Sequence, residues 1–391
     1  MTVFTGTLTA AASVVVVTAV GSASAAHADD VWRPAPLNWS WPDRNFRDVE
    51  PVGAKEAWAA GGQGKVYVGI PGDLIRPPIT LVDIGAKPLL QQWTGTSWKS
   101  HSPPGISGEG EITNVEAVTP DNVWASGFVG YRDRTAYLAH WDGTKWSQVT
   151  SPSTLVSAEM WADAKGLWLR DRTALHRFAD GTWTSHSLGG RHINFVQQAA
   201  NGDLYVFNED KISHWNGSSW TTFERLPGDL HYSADHYYAA TTDGMWAVSR
   251  TGTDDGLPIV HRWTGTAWVA VPVPDAYRGT WDHSIYDLEG PVIQFRKRNS
   301  TIHHQLRWNG SSWDELSDPA TSIPANPVVA GDGTYWAAGN STLYRLVGKT
   351  WTAVQVPISG YLRVAPVPGS RYLFAWGENQ NGELSATTNA P

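Results

Sequence analysis

The sequence predicts an all-β fold, a β-propeller, on three observations. A glycine turn closed by a tryptophan, and in five cases also opened by one, recurs seven times along the 391-residue chain. Each recurrence ends a set of four short runs of strand composition. Cysteine is absent, so stability has to come from packing or from closing the chain on itself.

The turn is read first. WTGTSW ends at Trp98, WDGTKW at Trp146, FADGTW at Trp183, WNGSSW at Trp220, WTGTAW at Trp268, WNGSSW at Trp313 and LVGKTW at Trp351. Self-similarity at about 40 residues marks a solenoid or a propeller. Strands decide between them. Residues 114–118 (NVEAV), a TPDN turn, residues 123–127 (VWASG), AYLAHW, a DG turn and KWSQV make one four-stranded blade. A tryptophan recurs in the second strand at Trp58, Trp124, Trp168, Trp246, Trp336 and Trp376, and a proline six residues beyond the turn at Pro104, Pro152, Pro274, Pro319 and Pro357. Proline cannot continue a ladder, so it is expected to stop the fourth strand.

Seven complete blades span residues 46–357. The tail YLRVAPVPGSRYLFAWGENQNGELSATT holds three more strands, and PLNWSWP around Trp39 resembles an orphan fourth strand. Joining the two ends in one sheet gives eight blades with no open terminal edge; seven blades with ordered tails is the alternative. The insertion at residues 61–88 lengthens blade one alone, and VYVGI with ITLVDI has the composition of an extra hairpin.

Residues 1–28 carry no charged side chain, run apolar from Leu8 to Val20 and end in Ala26-His27-Ala28. That is the pattern of a secretory signal peptide, although the basic first segment is missing. A membrane span needs about 20 apolar residues and finds about 13. The expectation is therefore a secreted, extracellular protein with one propeller domain at residues 29–391. The net charge of −8 makes nucleic acid a poor partner, since phosphate binding rests on Lys and Arg.

A four-residue connection lets the two tryptophans face each other across an antiparallel pair, a contact worth about 0.2–1 kcal/mol. Burying each indole removes about 150–250 Å² from water at about 25 cal/mol per Å². Burial is the larger effect, so the pairs are expected to pack neighbouring blades. The functional reading is that some, among them Trp141, Trp215, Trp263 and Trp308, keep a face open to stack on a sugar. Phe178 and Leu346 at the first position fit a packing slot better than a stacking platform.

WTGTSW and its kin resemble the end of the Asp-box of sialidase-type propellers, with tryptophan where the aspartate belongs and no arginine triad beside it. FAWGENQNGEL, residues 374–384, is similar to a repeat of the regulator-of-chromosome-condensation propellers. In overall character the chain resembles the secreted bacterial propeller lectins, whose repeats form sugar pockets between blades. That resemblance implies glycan or cell-surface polysaccharide as ligand, with other secreted proteins as further partners.

The fourth-to-first and second-to-third connections of a propeller share one face, where function gathers. On it the sequence places Tyr131, Arg132, Asp133 and Arg134, then Arg170, Asp171 and Arg172, and, from the fourth-to-first connections, His231, Trp281, Asp282 and His283. Arginine forks there would hold a carboxylate or sugar hydroxyls; otherwise these charges form a solvated rim worth about 0–1 kcal/mol per pair. HExxH, CxxC, GxSxG and GxxxxGK patterns are absent, so neither cofactor nor metal is expected and catalytic residues stay unassigned. Three readings follow: a carbohydrate-binding propeller, a protein-interaction platform within a secreted complex, and a propeller glycosidase or lyase.

Overall fold

The computed structural model describes residues 31–37, 41, 44–70, 79–153, 155–156, 158–188, 192–209, 211–226, 236–249, 257–297, 300–320, 324, 327–379 and 384–391. Residues 67–70, 79–83, 236, 280–283 and 297 are described by their backbone alone. The expected signal peptide lies outside the described residues. Trp32–Pro391 forms one compact unit.

A glycine explains where each repeat turns, and in three of them an Asx side chain in front of it accepts N–H groups of the turn. Gly143, Gly217 and Gly310 sit at φ of 90°, 89° and 98°, a left-handed conformation that other residues adopt at a cost. In front of each, Asp142, Asn216 or Asn309 accepts two backbone N–H groups through one Oδ1, as Asn216 does from Ser218 at 3.1 Å and Ser219 at 3.0 Å. The turn sets the register: Trp141 pairs with Trp146, Trp215 with Trp220, Trp263 with Trp268 and Trp308 with Trp313.

Eight four-stranded antiparallel sheets result, so the ring has eight blades and the seven-bladed alternative is excluded. Blade one comprises Asn45–Gly53, Glu56–Gln63, Lys87–Trp93 and Trp98–Ser100. Blade two comprises Gly110–Thr119, Asn122–Val129, Thr135–Trp141 and Trp146–Gln148. Blades three to seven follow at residues 160–186, 195–224, 236–271, 280–320 and 328–354. First strands of neighbouring blades contact one another at most seams, among them blades one and two, five and six, and eight and one, and so surround the axis. The insertion in blade one pairs as an extra two-stranded hairpin, Val66–Ile70 with Ile79–Ile84.

Blade eight is built from both ends of the chain. Tyr361–Pro366, Leu373–Glu378 and Leu384–Thr388 supply three strands, and Arg33–Pro34 adds the fourth, with Arg33 opposite Thr388. The closing strand therefore lies ahead of the expected position around Trp39. The reason is a packing slot: with Arg33 in this register, Trp32 lands against Trp336 of blade seven, ring centroids 5.8 Å apart. Pro34 is tolerated because the strand is an edge.

The fourth strand ends three or four residues short of the expected proline in blades one, two, five and seven, and in blade six the strand Trp313–Ala320 runs through Pro319. Its pairing with His303–Trp308 shifts register twice, and an outermost strand can carry a residue that donates no hydrogen bond.

Candidate functional site

Each tryptophan pair grips one residue of the preceding blade. Trp58 is fully buried, with Trp141 at 5.4 Å and Trp146 at 5.3 Å. Trp168 meets Trp215 and Trp220 at 5.4 and 5.7 Å, and Trp246 meets Trp308 and Trp313 at 5.8 and 6.0 Å. In blade eight the residue in this slot is Phe374, which meets Trp93 and Trp98 of blade one; Trp376 lies two residues on. Tyr205 takes the corresponding register in blade four, opposite His214, and Val292 takes it in blade six, opposite Arg307. Opposite the slot, the residue before the turn adds a cationic or imidazole lid: Arg177 over Trp168 at 5.0 Å, Arg262 over Trp246 at 5.6 Å, His140 on Trp124 at 4.3 Å.

These seams occupy the four tryptophans expected to present open faces. Trp141 is 7% exposed, and its Nε1 donates to the Pro120 carbonyl at 3.1 Å. Trp215 and Trp308 are partly buried between two indoles each, and Trp263 stacks on Phe223 at 4.1 Å with planes 9° apart. Of the four, Trp308 also borders a cleft of about 570 Å³, beside Asp243, Glu289 and Asp314.

The upper face, which carries the second-to-third and fourth-to-first connections, holds a polar pocket of about 330 Å³ between blades one and two. Arg47 and Glu111 enter it from the two first strands and pair at 2.6 Å. Lys65 comes from the base of the extra hairpin, and Tyr131 and Arg134 from the connection after Asn122–Val129. Arg134 donates Nε–H to the Tyr131 carbonyl at 3.2 Å while its guanidinium lies 4.3 Å over the Phe128 ring. The hairpin base is fastened to blade two: the Gly85 N–H donates to Glu109 at 2.8 Å, and the Gly110 N–H to the Ala86 carbonyl at 2.8 Å. Gly85 is required there, because a Cβ would stand 2.5 Å from the Tyr131 ring.

Three cations therefore face one carboxylate. Among the described residues Glu111 takes up Arg47, and Lys65 and the outer nitrogens of Arg134 remain for an incoming acidic group. A guanidinium and an ammonium converging on one hollow suit a carboxylate.

Other acids on the first strands have a different task. Asp48 accepts the Val115 N–H of the next blade at 3.0 Å, and Glu116 accepts the N–H of Ala162 one blade further. Gln197 does the same without charge, accepting the Ala240 N–H at 2.9 Å and donating to the Tyr238 carbonyl at 3.0 Å. Burial, and then the Asp48 charge, push the Glu116 carboxyl up to about 8; burial first, then Glu116 and Asp48, raises Glu50 well above the carboxylate range. Among the described residues no group of three His, Asp or Glu side chains is arranged to hold a metal ion.

Of the other residues singled out in the sequence, Arg132 is exposed on the Tyr131 connection outside the pocket. Arg170 is tied to Glu159 at 3.2 Å and to the Asn194 carbonyl at 3.2 Å. His231 lies outside the described residues. Trp281 and His283 are not in a connection but in the first strand of blade six, Thr280–Asp287, where pairing with Arg296 and Phe295 extends the ladder through a bulge; their side chains lie outside the described residues. Sequence reading missed Arg47, Lys65 and Asn45, because nothing in their local pattern separates them from ordinary strand-end polar residues.

Fold and pocket define an eight-bladed β-propeller of tryptophan-rich repeats with a polar hollow on its upper face. Among solved structures it is similar to YCF48 from Cyanidioschyzon merolae, with 15% identity over 91% of this chain and 98% of that one and a TM-score of 0.47. It is also similar to catalytically inactive virginiamycin B lyase from Staphylococcus aureus with quinupristin, with 12% identity over 70% and 93% of the two chains and a TM-score of 0.41. The WD40 propeller domain of Doa1 gives 9% identity, 91% and 96% coverage and a TM-score of 0.41. Identities this low concern the fold alone. No family model matches the sequence, and no curated protein matches it.

Proposed function

We propose that the chain is a non-catalytic carbohydrate-binding propeller that acts outside the cell, and that its upper-face pocket holds the carboxylate of a sugar acid. The observation behind this reading is the pocket's charge: Arg47, Lys65 and Arg134 surround the single carboxylate of Glu111. Tyr131 and Asn45 in the same lining supply hydroxyl and amide partners for sugar hydroxyls. A chain of net charge −8 repels a polyanion, so the fitting ligand carries one terminal acid on a neutral oligosaccharide. Buried seams argue against a ring of tryptophan platforms, so the lectin reading now rests on this pocket.

The test is calorimetric titration with oligosaccharides ending in a uronic or sialic acid, against their neutral counterparts. Arg134→Ala and Lys65→Ala should each weaken binding of the acids by about tenfold. Failure to bind any sugar acid, or wild-type affinity in both variants, would sink the reading. The extra hairpin beside the pocket favours a second reading, a secreted protein partner that docks there. Recovery of the same partner by the intact chain, and not by a chain lacking residues 66–84, would support it.

A further inference from the structure

Tyr361 is 77% exposed, the largest value among the exposed large apolar side chains described. A single exposed aromatic needs no explanation. The backbone beneath this one does. Ser341 stands at φ 55° and Gly360 at φ 104°. Their backbones lock together: the Ser341 N–H donates to the Gly360 carbonyl at 2.6 Å, and the Gly360 N–H donates to Ser341 Oγ at 3.0 Å. A Cβ on Gly360 would lie 2.0 Å from the Glu378 carbonyl oxygen. Asn340 and Tyr361 pair as an isolated bridge between blades seven and eight. An unfavourable backbone angle held in place by its surroundings points to a ligand site; Ser341 carries one, and its two bonds to Gly360 fix the residue just before the aromatic.

Around Tyr361 the upper face forms a groove of about 720 Å³, lined by Asn340, Ser341, Glu378 and Asn379. That volume lies in the range of about 300–1,000 Å³ typical of small-molecule sites. A second lobe of about 550 Å³, reaching Arg44 and Ser385, shares Ser359 and Asn379 with it. The lining of the first lobe holds one charge, the acceptor-only carboxylate of Glu378, among amides and hydroxyls that both donate and accept.

We propose that this groove is a second saccharide site, which takes a neutral pyranose with its apolar C–H face on the Tyr361 ring. Glu378 accepts ring hydroxyls, while Asn340 both donates and accepts and Ser341 offers its remaining lone pair. An aromatic ring offers a sugar a flat apolar surface, and the polar rim fixes which hydroxyls point where. The ligand class rests on the carbohydrate reading above, but the site is distinct from the sugar-acid pocket and contains none of its residues.

The experiment uses the full chain and a panel of uncharged oligosaccharides built from glucose, galactose, mannose and N-acetylglucosamine, followed by calorimetry on those retained. Tyr361→Ala should weaken binding at least about tenfold, as loss of an aromatic anchor does, and Tyr361→Phe should keep it within about threefold, because the ring and not the hydroxyl carries the contact. Glu378→Gln should weaken it as well. Unchanged thermal unfolding would show that Tyr361→Ala still folds. Arg134→Ala should leave neutral-sugar binding intact, just as Tyr361→Ala should leave sugar-acid binding intact. No neutral sugar bound, or wild-type affinity in Tyr361→Ala, overturns this site even where sugar acids bind normally. Capture of basic peptides in place of sugars overturns it too. Neutral sugars bound through Tyr361 without any sugar acid would uphold it and remove the first pocket's assignment.

Discussion

Trp32 lies edge-on against Trp336, ring centroids 5.8 Å apart and planes at 71°, although 304 positions separate them in sequence. It does for blade eight what Trp146, Trp220 and Trp313 do for theirs, so the ring closes with a contact that also builds it. The strand behind it is only two residues long. Closure therefore depends on this side chain, on the Ala35 N–H to Ala386 carbonyl bond at 2.9 Å and on the Thr387 hydroxyl donating to the Arg33 carbonyl at 2.6 Å.

Trp32→Ala should accordingly destabilise the protein by about 3 kcal/mol, the low end for truncating a packed aromatic. Denaturant unfolding would measure it, and Trp32→Phe should recover most of the loss. A change below about 0.5 kcal/mol, the size of an ordinary surface substitution, would mean that closure rests on the backbone bonds alone.

Trp58 makes a sharper case, because it is fully buried between Trp141, Trp146 and the His101 ring at 5.0 Å. Trp58→Ala should cost about 3–5 kcal/mol. Trp58→Phe should cost clearly less, since Phe374 fills the equivalent slot in blade eight. Equal losses in the two variants would contradict the slot description.

Stability should fall as pH rises because of Glu116. Its carboxyl is raised from 4.5 to about 8, by burial first and then by Asp48, so between those values the folded protein holds a proton that the unfolded chain has released. Linkage then lowers the unfolding free energy steadily across that window. Glu116→Gln should flatten the slope of the melting temperature between pH 5 and 8, with Gln197 as the native precedent for an amide in this role. An unchanged slope would show that another group sets it.

His101 acts in the opposite direction. Burial, and then Lys99, lower its imidazole from 6.5 to about 4. Below 6.5 the unfolded chain binds the extra proton, and stability is lost as pH falls toward 4. His101→Gln should reduce that acid sensitivity, and melting curves at pH 4.5 and 7 would register the change. The ring touches Trp58 and Trp141, so some loss at both pH values is expected as well.

Much of the fold was legible because its signals are local. The Asx-Gly turn and its flanking tryptophans span six residues, and their hydrogen bonds and register follow from that segment alone. The candidate sites were legible only in part. Arg134 stood out because RDRT occurs at residues 132–135 and again at 170–173, with Tyr131 beside it, whereas Arg47 and Lys65 join them from about 70 to 85 residues upstream, through the curvature of the ring. Tyr361 opened an ordinary strand in the sequence; only the neighbouring blade's Ser341 and Gly360's forced conformation single it out.

By itself, the sequence determined that this protein is a propeller of four-stranded blades and that its tryptophans pair across a glycine turn; it left eight blades closed by both ends beside seven with ordered tails. Turn chemistry, alternation and period are properties of a short segment and are written into it. The tertiary structure decided which residue each pair grips, where the closing strand lies and which polar side chains share a hollow. Those depend on the rotation from one blade to the next, a sum over eight sheets that no single repeat contains. The same rotation that buries the indoles in the seams brings scattered strand ends together on the upper face.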